Sequence, residues 1–375
     1  MGGIWLVLHL DAKKRGTIEQ QLVALARRLR QERIPTTMVF ARPPAAFPGD
    51  ALREAGVRLR HLDFARPPYR LARELWSWMR VERPGIAHFH FIDPYSPLVV
   101  AAGLAGARVL IHDHLALSRG DPLRAAWKRL RSLLLNGLFD ERVAVSSFVA
   151  RTIREVHGVP AARVSVVDNA IDAARFEGAD GRGVREELRL GDAPLIVSVA
   201  RLDHEKGGEW LLRALPQVGR GAHLAMVGEG PRLGDWRALC ASLGVASRVH
   251  FLGLRLDVEE ILAAASVVVA PSVCDEGFGL AALEGMAAGR PVVVTDSGPM
   301  PEIVEGAGQV VPKRDARALA AGIDGLLRND VLARKLGEAG RLRARTVYGM
   351  DRYLEQLMSV YRRHLLPSVG GRRAA

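Results

Sequence analysis

The sequence contains few cysteines, few aromatic residues and no long apolar segment. Cys240 and Cys274 are its only cysteines and no CxxC pair occurs, which excludes a disulfide framework and a cysteine-rich zinc site and fits a reducing cytoplasm. No segment reaches the roughly 18 apolar residues of a membrane-spanning helix, because Arg108 interrupts the longest candidate. The N-terminus lacks the positive charge and long apolar run of a signal peptide. We therefore expect a cytoplasmic protein that does not cross a membrane.

Lysine is also scarce, at six of the 53 basic residues, although the net charge is +12. This surplus of positive charge favours polyanionic partners such as nucleic acid, an anionic lipid surface or phosphorylated substrates. The alternative interpretation is that the arginines cover solvated helix faces. Aromatic residues make up only 6% and are not regularly interleaved with arginine, whereas single-stranded nucleic acid binds to stacking aromatics. We therefore expect no nucleic-acid partner.

Short apolar segments alternate with helical patterns along most of the 375 residues. This alternation predicts an α/β fold with parallel, doubly wound sheets. A chain longer than roughly 250–300 residues divides into domains, and the glycine-rich segment 169–183 marks the boundary. We predict domains 1–172 and 173–350 facing each other across a ligand cleft, then a helix within 351–375 that returns to the first domain, and a short basic tail. The predicted strands are IWLVLHL, TTMVFA, IAHFHF, RVLIHDH and RVAVSS in the first sheet, and VSVVD, LIVSVAR, HLAMVG, RVHFLG, SVVVAPS and PVVVTDS in the second.

Two cations follow a predicted strand of the second domain. In LIVSVARLDHEKGGEWLLRAL the strand ends at Ala200, Arg201 and Lys206 lie in the loop, and Gly207 and Gly208 open a helix. Two cations beside the N–H groups of a helix N-terminus suit a pyrophosphate. The alternative is that these loop charges face water. The pattern GxxxxGK[ST] is absent, and GEGPRLG departs from the dinucleotide-binding pattern, so we expect no nicotinamide site.

Two glutamates lie in DEGFGLAALEGMAAGRP, directly after the predicted strand SVVVAPS. Gly279 allows a ligand close to the backbone, and the N–H groups of Gly279 and Leu280 point towards an anion. Glu284 lies one turn beyond Leu280 on the same helix face, where its carboxylate can accept hydrogen bonds from a ribose diol. Glu276 precedes the helix and reaches towards the group attached to the pyrophosphate. In the alternative interpretation, Glu276 only favours the helix dipole and Glu284 is an exposed helix residue.

Histidines occur in pairs at the ends of two predicted strands, His88 with His90 and His112 with His114. Alternate residues of a strand share a face, as a metal site requires. Neither a nearby cysteine nor a third pair accompanies them, so hydrogen bonding to a substrate is the preferred interpretation. His114 is the best placed, because ligands of α/β sheets bind beyond the carboxyl ends of strands. We expect no metal.

A predicted basic helix at 121–139 contains an apolar series. Trp127, Leu130, Leu134 and Leu138 recur at helical spacing among arginine and lysine residues. This pattern fits a helix that lies on an anionic lipid surface. It fits equally well a helix that packs this series against the core.

Together these segments resemble the family-4 retaining glycosyltransferases, which have the GT-B fold of two Rossmann-like domains. The resemblance spans nearly the whole chain: GTIEQQLVALARRL is similar to the family's first loop and helix, VVDNAID to its N-G-x-D turn, and VARLDHEKGGEWLLRAL to its phosphate segment. The most specific segment is VVVAPSVCDEGFGLAALEGMAAGRPVVVTDSG, with its paired glutamates. Thr17 stands where the family usually has a second glycine, which makes backbone access to the diphosphate less certain.

The resemblance implies a role for each matching residue. Arg201 and Lys206 would bind the donor diphosphate, Glu284 the ribose, and Glu276 the hydroxyls of the donor sugar. His114 would lie near the transferred sugar, and Arg255 near the base. The implied catalytic residues are Glu276, His114, Arg201 and Lys206, and the implied donor-binding residues are Gly16, Thr17, Arg201, Lys206, Arg255, Glu276, Phe278, Gly279, Leu280 and Glu284.

The implied activity is transfer of a sugar from a nucleotide-diphosphate donor to a hydroxyl with retention at the anomeric carbon, without a cofactor or a metal. The first domain would bind the acceptor and the second the donor. We expect a glycan or lipid-linked acceptor in envelope or exopolysaccharide assembly, and an anionic membrane surface as a further candidate partner, with the protein peripheral on the inner membrane face. The alternatives are a sugar-nucleotide epimerase or phosphorylase on the same fold, and a basic nucleic-acid-binding protein.

Overall fold

The computed structural model describes residues 2–13, 16–116, 122–219 and 221–365. The chain divides into two compact units. Unit 1 comprises Met1–Asn169 and Met350–Ala375, and unit 2 comprises Ala170–Gly349. These boundaries lie one to three residues from those that the sequence analysis proposes, at 172 and 350. The basic tail expected at the C-terminus, 366–375, lies outside the described residues.

Unit 1 is built on a parallel sheet that has seven strands within the described residues, in the order β3-β2-β1-β4-β5-β6-β7. The central strands are buried on both faces, as in β1 and β4, which explains their continuous apolar sequences. Strand β7 was predicted in the second sheet, and this is wrong, because β7 pairs with β6 at the edge of the first. The strands are β1 (Ile4–Leu8), β2 (Thr36–Phe40), β3 (Arg58–His61), β4 (Ile86–His90), β5 (Arg108–Asp113), β6 (Glu141–Ala144) and β7 (Val164–Val166).

Helices of unit 1 alternate with these strands. In the first helix, Leu22, Leu25, Ala26 and Leu29 are buried, because residues three and four apart share one helix face. The helices are α1 (Thr17–Gln31), α2 (Ala46–Glu54), α3 (Pro68–Glu82), α4 (Pro97–Leu104), α5 (Pro122–Leu135) and α6 (Ser147–His157).

The last helix of the chain, α15 (Met350–Leu365), packs in unit 1. Its Tyr361 is fully buried, and the phenol oxygen lies 2.7 Å from Nδ1 of His88 on β4. Near the helix end, Arg363 and His364 both bind the buried carboxylate of Glu141, at 2.7 and 2.6 Å. Polar contacts therefore fix the final helix to strands that precede it by more than 200 residues.

Unit 2 is built on a second parallel sheet, in the order β10-β9-β8-β11-β12-β13 within the described residues. This is the doubly wound order 3-2-1-4-5-6. The order of strands reverses between the first and fourth strands, here β8 and β11, and this position is called the switch point. Strand β13 was not predicted from the sequence; it lies at the sheet edge, where Val310 is exposed and Val311 is buried. The strands are β8 (Leu195–Val199), β9 (His223–Val227), β10 (Val249–Gly253), β11 (Val267–Ala270), β12 (Val292–Thr295) and β13 (Gly308–Val311).

The helices of unit 2 cover both faces of this sheet, as the connections of a parallel sheet require. The core on one face contains Leu211, Leu224, Trp236, Val269 and Ile323, all at most 2% exposed. None of the described helices is long and apolar enough to span a membrane. The helices are α7 (Arg182–Glu187), α8 (Gly208–Ala214), α9 (Leu233–Ser242), α10 (Val258–Ala264), α11 (Leu280–Ala287), α12 (Met300–Ile303), α13 (Ala316–Arg328) and α14 (Asp330–Thr346).

Candidate functional site

The loops that follow β8 and β11 meet at the carboxyl edge of the sheet in unit 2. Gly207 has a φ of +66°, and a β-carbon at this position would lie 1.9 Å from the carbonyl oxygen of Pro271. The N–H of Val273 donates to the carbonyl oxygen of Glu205 at 2.9 Å. The two loops therefore share backbone contacts, and they do so at the switch point where ligands of doubly wound sheets bind.

An ion pair joins these two loops. The Lys206 ammonium lies 2.6 Å from Oε1 of Glu276, with 28% of the lysine side chain and 15% of the glutamate side chain exposed. The Ser272 hydroxyl donates to the same oxygen. None of the residues that the structure describes donates to Oε2 of Glu276. That oxygen can accept hydrogen bonds from sugar hydroxyls while Oε1 holds the lysine.

Arg201 is the more exposed cation of this edge. Its side chain is 65% exposed, and its guanidinium binds Asp203 and lies 3.8 Å from Glu205. Asp203 also accepts a hydrogen bond from the N–H of Lys206 at 3.1 Å, which caps the short turn His204–Lys206. The aspartate thereby fixes the backbone between the two cations, a role that sequence reasoning missed. The feature of the sequence that could have indicated this role is an aspartate at the N-cap position of a turn.

The next helix, α11, begins at Leu280 after Gly279. Gly279 has a φ of +112°, and a β-carbon there would lie 2.4 Å from the sulfur of Met300. The first N–H groups of a helix lack intrahelical partners and favour anions. Glu284 is half-buried on this helix, which is more burial than a solvent-facing residue has. Glu284 lies one helical turn after Leu280, the first residue of α11.

The polar residues around Glu276 extend beyond those predicted. Ser297 accepts a hydrogen bond from the N–H of Glu276 at 3.3 Å, and Lys313 donates to Asp275 at 2.8 Å. Ser297 and Lys313 follow β12 and β13, the next strands of the sheet. Their position directly after predicted or edge strands could have indicated them, because the carboxyl ends of all strands in a parallel sheet lie at one edge.

In unit 1 the first loop ends at Gly16, which precedes α1 with φ −84° and ψ 171°. A residue with a β-carbon adopts this conformation easily, so the backbone does not require glycine. Thr17 is 4% exposed at the first position of the helix. The departure from the second glycine is therefore compatible with the local fold.

His114 follows β5 at the carboxyl edge of the unit 1 sheet. Its ring stacks on Phe91 with centroids 4.0 Å apart, and its Nε2 lies 3.1 Å from Nδ1 of His90. Burial lowers the pKa of His114 to about 3, so the imidazole is neutral at physiological pH. Phe91 has a φ of +59°, a conformation that is rare for an aromatic residue and costs about 1–3 kcal/mol.

Known proteins with similar sequences identify the family. Residues 18–175 match the model described as Glycosyltransferase Family 4, and residues 193–329 match Glycosyl transferases group 1. The GDP-mannose-dependent alpha-(1-6)-phosphatidylinositol monomannoside mannosyltransferase of Mycobacterium tuberculosis is 32% identical over 366 residues, which cover 91% of this chain and 93% of that protein. The chain belongs to the family-4 glycosyltransferases. A glycogen synthase of Mycobacterium tuberculosis is 33% identical over 307 residues, 79% of this chain and 69% of that protein.

Solved structures confirm the fold of this glycosyltransferase. HepE of Anabaena in complex with UDP-glucose has a TM-score of 0.83 at 20% identity, over 96% of this chain and 99% of that chain. A glycosyltransferase from Rickettsia africae has a TM-score of 0.82 at 19% identity, over 98% of this chain and 100% of that chain. The predicted fold class, GT-B with two parallel α/β domains, is therefore confirmed.

Within unit 2, the structure brings Lys206 and Glu276 together. The guanidinium of Arg255 binds Glu187 and Asp257, at 2.6 to 3.0 Å. The hydrogen bonds that Arg255 donates to the carboxylates of Asp257 and Glu187 raise its pKa above the usual range. The role of Arg255 near the base stays a prediction.

Phe278 lies in the core of unit 2. It is 3% exposed and packs edge-on against Tyr348, with centroids 5.4 Å apart. The ring therefore anchors the loop before α11, and the role of Phe278 in donor binding stays a prediction. In the segment GEGPRLG, a β-carbon on Gly228 would lie 2.1 Å from the carbonyl oxygen of Ala200, so this glycine permits close packing against the loop that carries Arg201.

Proposed function

We propose that this glycosyltransferase transfers a sugar from a nucleoside-diphosphate donor to a hydroxyl with retention at the anomeric carbon. The observation that carries the proposal is the Lys206–Glu276 pair at the switch point of unit 2. Beside it lie the exposed Arg201 and the N-terminus of α11 at Leu280. One edge of the sheet thus offers two cations and a helix N-terminus to a diphosphate, and a carboxylate oxygen to sugar hydroxyls.

In the reaction we propose, the bond between the anomeric carbon and the diphosphate oxygen breaks while the acceptor oxygen bonds to the same face of that carbon. The leaving phosphate takes the acceptor's proton, so no protein base is required. Arg201, Lys206 and the N–H groups of α11 stabilise the negative charge on the leaving group, a kind of interaction worth about 10²–10³ in kcat per group. These groups perform the role that a metal ion has in other transferases, and we propose that the reaction is metal-independent.

The relative from Mycobacterium tuberculosis guides the choice of donor and acceptor. Its name specifies GDP-mannose and a phosphatidylinositol monomannoside. We propose a lipid-linked or otherwise anionic glycan acceptor for this chain, in envelope or exopolysaccharide assembly. The excess of basic over acidic residues, 53 against 41, supports an anionic acceptor.

Helix α5 supports a peripheral position on a membrane. Trp127, Leu130, Leu133 and Leu134, here called the α5 apolar surface, are 60–76% exposed. This exposure is evidence against the alternative in which the apolar series packs against the core. Arg129, on the same helix, is also exposed, and such a combination of apolar and basic residues suits an anionic lipid surface. The side chains of the other basic residues at 124 and 128 lie outside the described part of the chain.

A thermal-shift screen with UDP, GDP, ADP and their sugars tests the donor proposal. A nucleotide at 100 times its Kd adds about 2.7 kcal/mol of stability, which is readily measured. Lys206→Met should abolish the shift, whereas Lys335→Met, on the exposed part of α14, should leave it unchanged. If no nucleotide shifts the wild-type protein, or if both variants behave alike, the proposed donor site is wrong.

The product then tests the stereochemistry and the cofactor requirement. We expect the anomeric configuration of the donor in the product, as measured by NMR, and an unchanged rate in EDTA. An inverted product would refute retention, and loss of activity in EDTA that Mg²⁺ restores would refute metal independence. An epimerised nucleotide sugar formed without acceptor would favour the epimerase alternative.

Vesicle sedimentation tests the membrane proposal. We expect binding to vesicles of phosphatidylglycerol but not to those of phosphatidylcholine, and loss of binding in the triple variant Leu130→Gln, Leu133→Gln, Leu134→Gln. The control variant Val331→Gln, Leu342→Gln changes two exposed apolar residues of unit 2 and should still bind. Equal binding by both variants would discard the α5 apolar surface as the contact.

A further inference from the structure

Four histidine side chains lie together on one face of the sheet in unit 1. His88 and His90 come from β4, and His112 and His114 from β5, with His90 and His112 as register partners on the paired strands. The ring centroids of His88 and His90 are 4.3 Å apart, and those of His90 and His112 are 4.7 Å apart. The two histidine pairs of the sequence therefore form a single cluster.

This cluster contains buried nitrogens that lack partners. His88, His90 and His112 are at most 3% exposed. Among the residues that the structure describes, none provides a hydrogen-bond partner for Nε2 of His88, Nε2 of His90 or either ring nitrogen of His112. A buried polar group without a partner destabilises the folded state, so a ligand that binds several of these nitrogens at once would stabilise the cluster.

The hydrogen bonds around the cluster are consistent with metal ligation. His88 can donate its Nδ1–H to the phenol oxygen of Tyr361 at 2.7 Å. His90 can donate its Nδ1–H to Nε2 of His114 at 3.1 Å. In these tautomers the Nε2 atoms of His88 and His90 carry lone pairs that can bind a metal. Metal-binding histidines usually donate their other ring N–H to a neighbouring acceptor, as these two can.

We propose that His88, His90 and His112 form a structural three-histidine site for a divalent transition-metal ion, with Zn²⁺ as the best match. One ring nitrogen from each residue lies within 4.8 Å of the other two. Tetrahedral Zn²⁺ with Zn–N distances of about 2.0–2.1 Å holds its nitrogen ligands about 3.4 Å apart, so binding draws the three rings together. A cation placed between them also removes the repulsion between facing lone pairs.

The metal would connect three parts of unit 1. It bridges β4 and β5 directly and, through His88 and Tyr361, reaches the buried face of α15. Through His90 it also sets the tautomer of His114, whose Nε2 accepts the Nδ1–H and whose Nδ1 then carries the proton. The three histidines belong to unit 1, and the Zn²⁺-binding test below does not depend on the proposed transfer reaction.

The test uses the full chain without a polyhistidine tag. The protein is stripped with a chelator, incubated with Zn²⁺ alone, desalted and analysed by mass spectrometry for metal content. We expect about one Zn²⁺ per chain, and at least a tenfold lower content in His112→Gln. Tyr361→Phe, which removes only the hydrogen bond to His88, should weaken Zn²⁺ binding by about 10–100-fold. The control is His223→Gln in unit 2, whose Nδ1 lies 3.0 Å from Nε2 of His250 in a second stacked pair, and it should keep the full content.

The absorption spectrum of bound Co²⁺ tests the site in the wild-type protein, without any variant. Co²⁺ added to the stripped wild-type protein should give the intense visible absorption of a tetrahedral site, and Zn²⁺ should displace it. A wild-type chain that retains no Zn²⁺ after desalting and gives only the weak spectrum of hydrated Co²⁺ would overturn the proposal. Equal loss of Zn²⁺ in His112→Gln and His223→Gln would overturn it as well.

Discussion

Replacing Gly207 by alanine tests the contact between the two loops of the proposed donor site. The β-carbon would lie 1.9 Å from the carbonyl oxygen of Pro271, and real β-carbons essentially never approach closer than 3.0 Å. The oxygen belongs to the backbone and cannot rotate away, so one loop must move by at least 1.1 Å. Such overpacking costs about 1–3 kcal/mol, and the left-handed backbone at φ +66° adds about 1–2 kcal/mol.

Gly244 is a matched control for this substitution. Its φ is +68°, and a β-carbon there would meet nothing within 4 Å. Gly244→Ala therefore carries only the backbone cost of about 1–2 kcal/mol, whereas Gly207→Ala carries about 2–5 kcal/mol in total. The difference between the two variants isolates the contact with Pro271.

Urea unfolding followed by hydrogen exchange of unit 2 peptides measures these costs separately from unit 1. We expect a lower midpoint for Gly207→Ala than for Gly244→Ala. A loop movement of about 1 Å next to Lys206 should also lower the transfer rate by on the order of 100-fold, with Gly244→Ala near the wild-type rate. If the two variants share one midpoint and one rate, the close approach of the loops does not constrain the site.

Three further predictions have defined outcomes. Arg142→Met leaves the carboxylate of Asp113 buried without its guanidinium, 2.6 Å away in the native fold, and should destabilise unit 1 by about 3–5 kcal/mol in urea unfolding. Burial alone would raise the pKa of Glu141, but hydrogen bonds from neighbouring side chains and an adjacent arginine outweigh it and hold the pKa below its usual 4.5. The stability that the Glu141 carboxylate contributes is thus present above pH 4.5 and lost as the pH falls through its folded pKa. Glu141→Gln should therefore flatten the acid side of a curve of unfolding free energy against pH. An unchanged curve would contradict this. Gly279→Ala should weaken nucleotide binding in the thermal-shift screen because its β-carbon meets the Met300 sulfur, and Met300→Ala should restore part of it; a variant that binds normally would show that the helix start tolerates a side chain.

Local sequence patterns were sufficient to predict the class of fold and the segments that lie at the carboxyl edge of the unit 2 sheet. Buried parallel strands are continuous apolar runs, and polar residues directly after them, such as Arg201 and Glu276, lie at the carboxyl edge of a sheet. These properties depend on neighbours in the chain, so they can be read without the tertiary structure. The strands β3 and β13 escaped prediction because they are partly exposed at sheet edges, and their sequences lack the apolar run of a buried strand.

Only the tertiary structure decided which segments meet. The partners Lys206 and Glu276 are 70 residues apart, and their contact depends on β8 pairing with β11, a choice that no local pattern contains. The same holds for the cluster of His88, His90 and His112, which the sequence presents as two separate pairs. Strand order and register follow from the total packing of a sheet and its helices, and each contact therefore depends on residues throughout the unit.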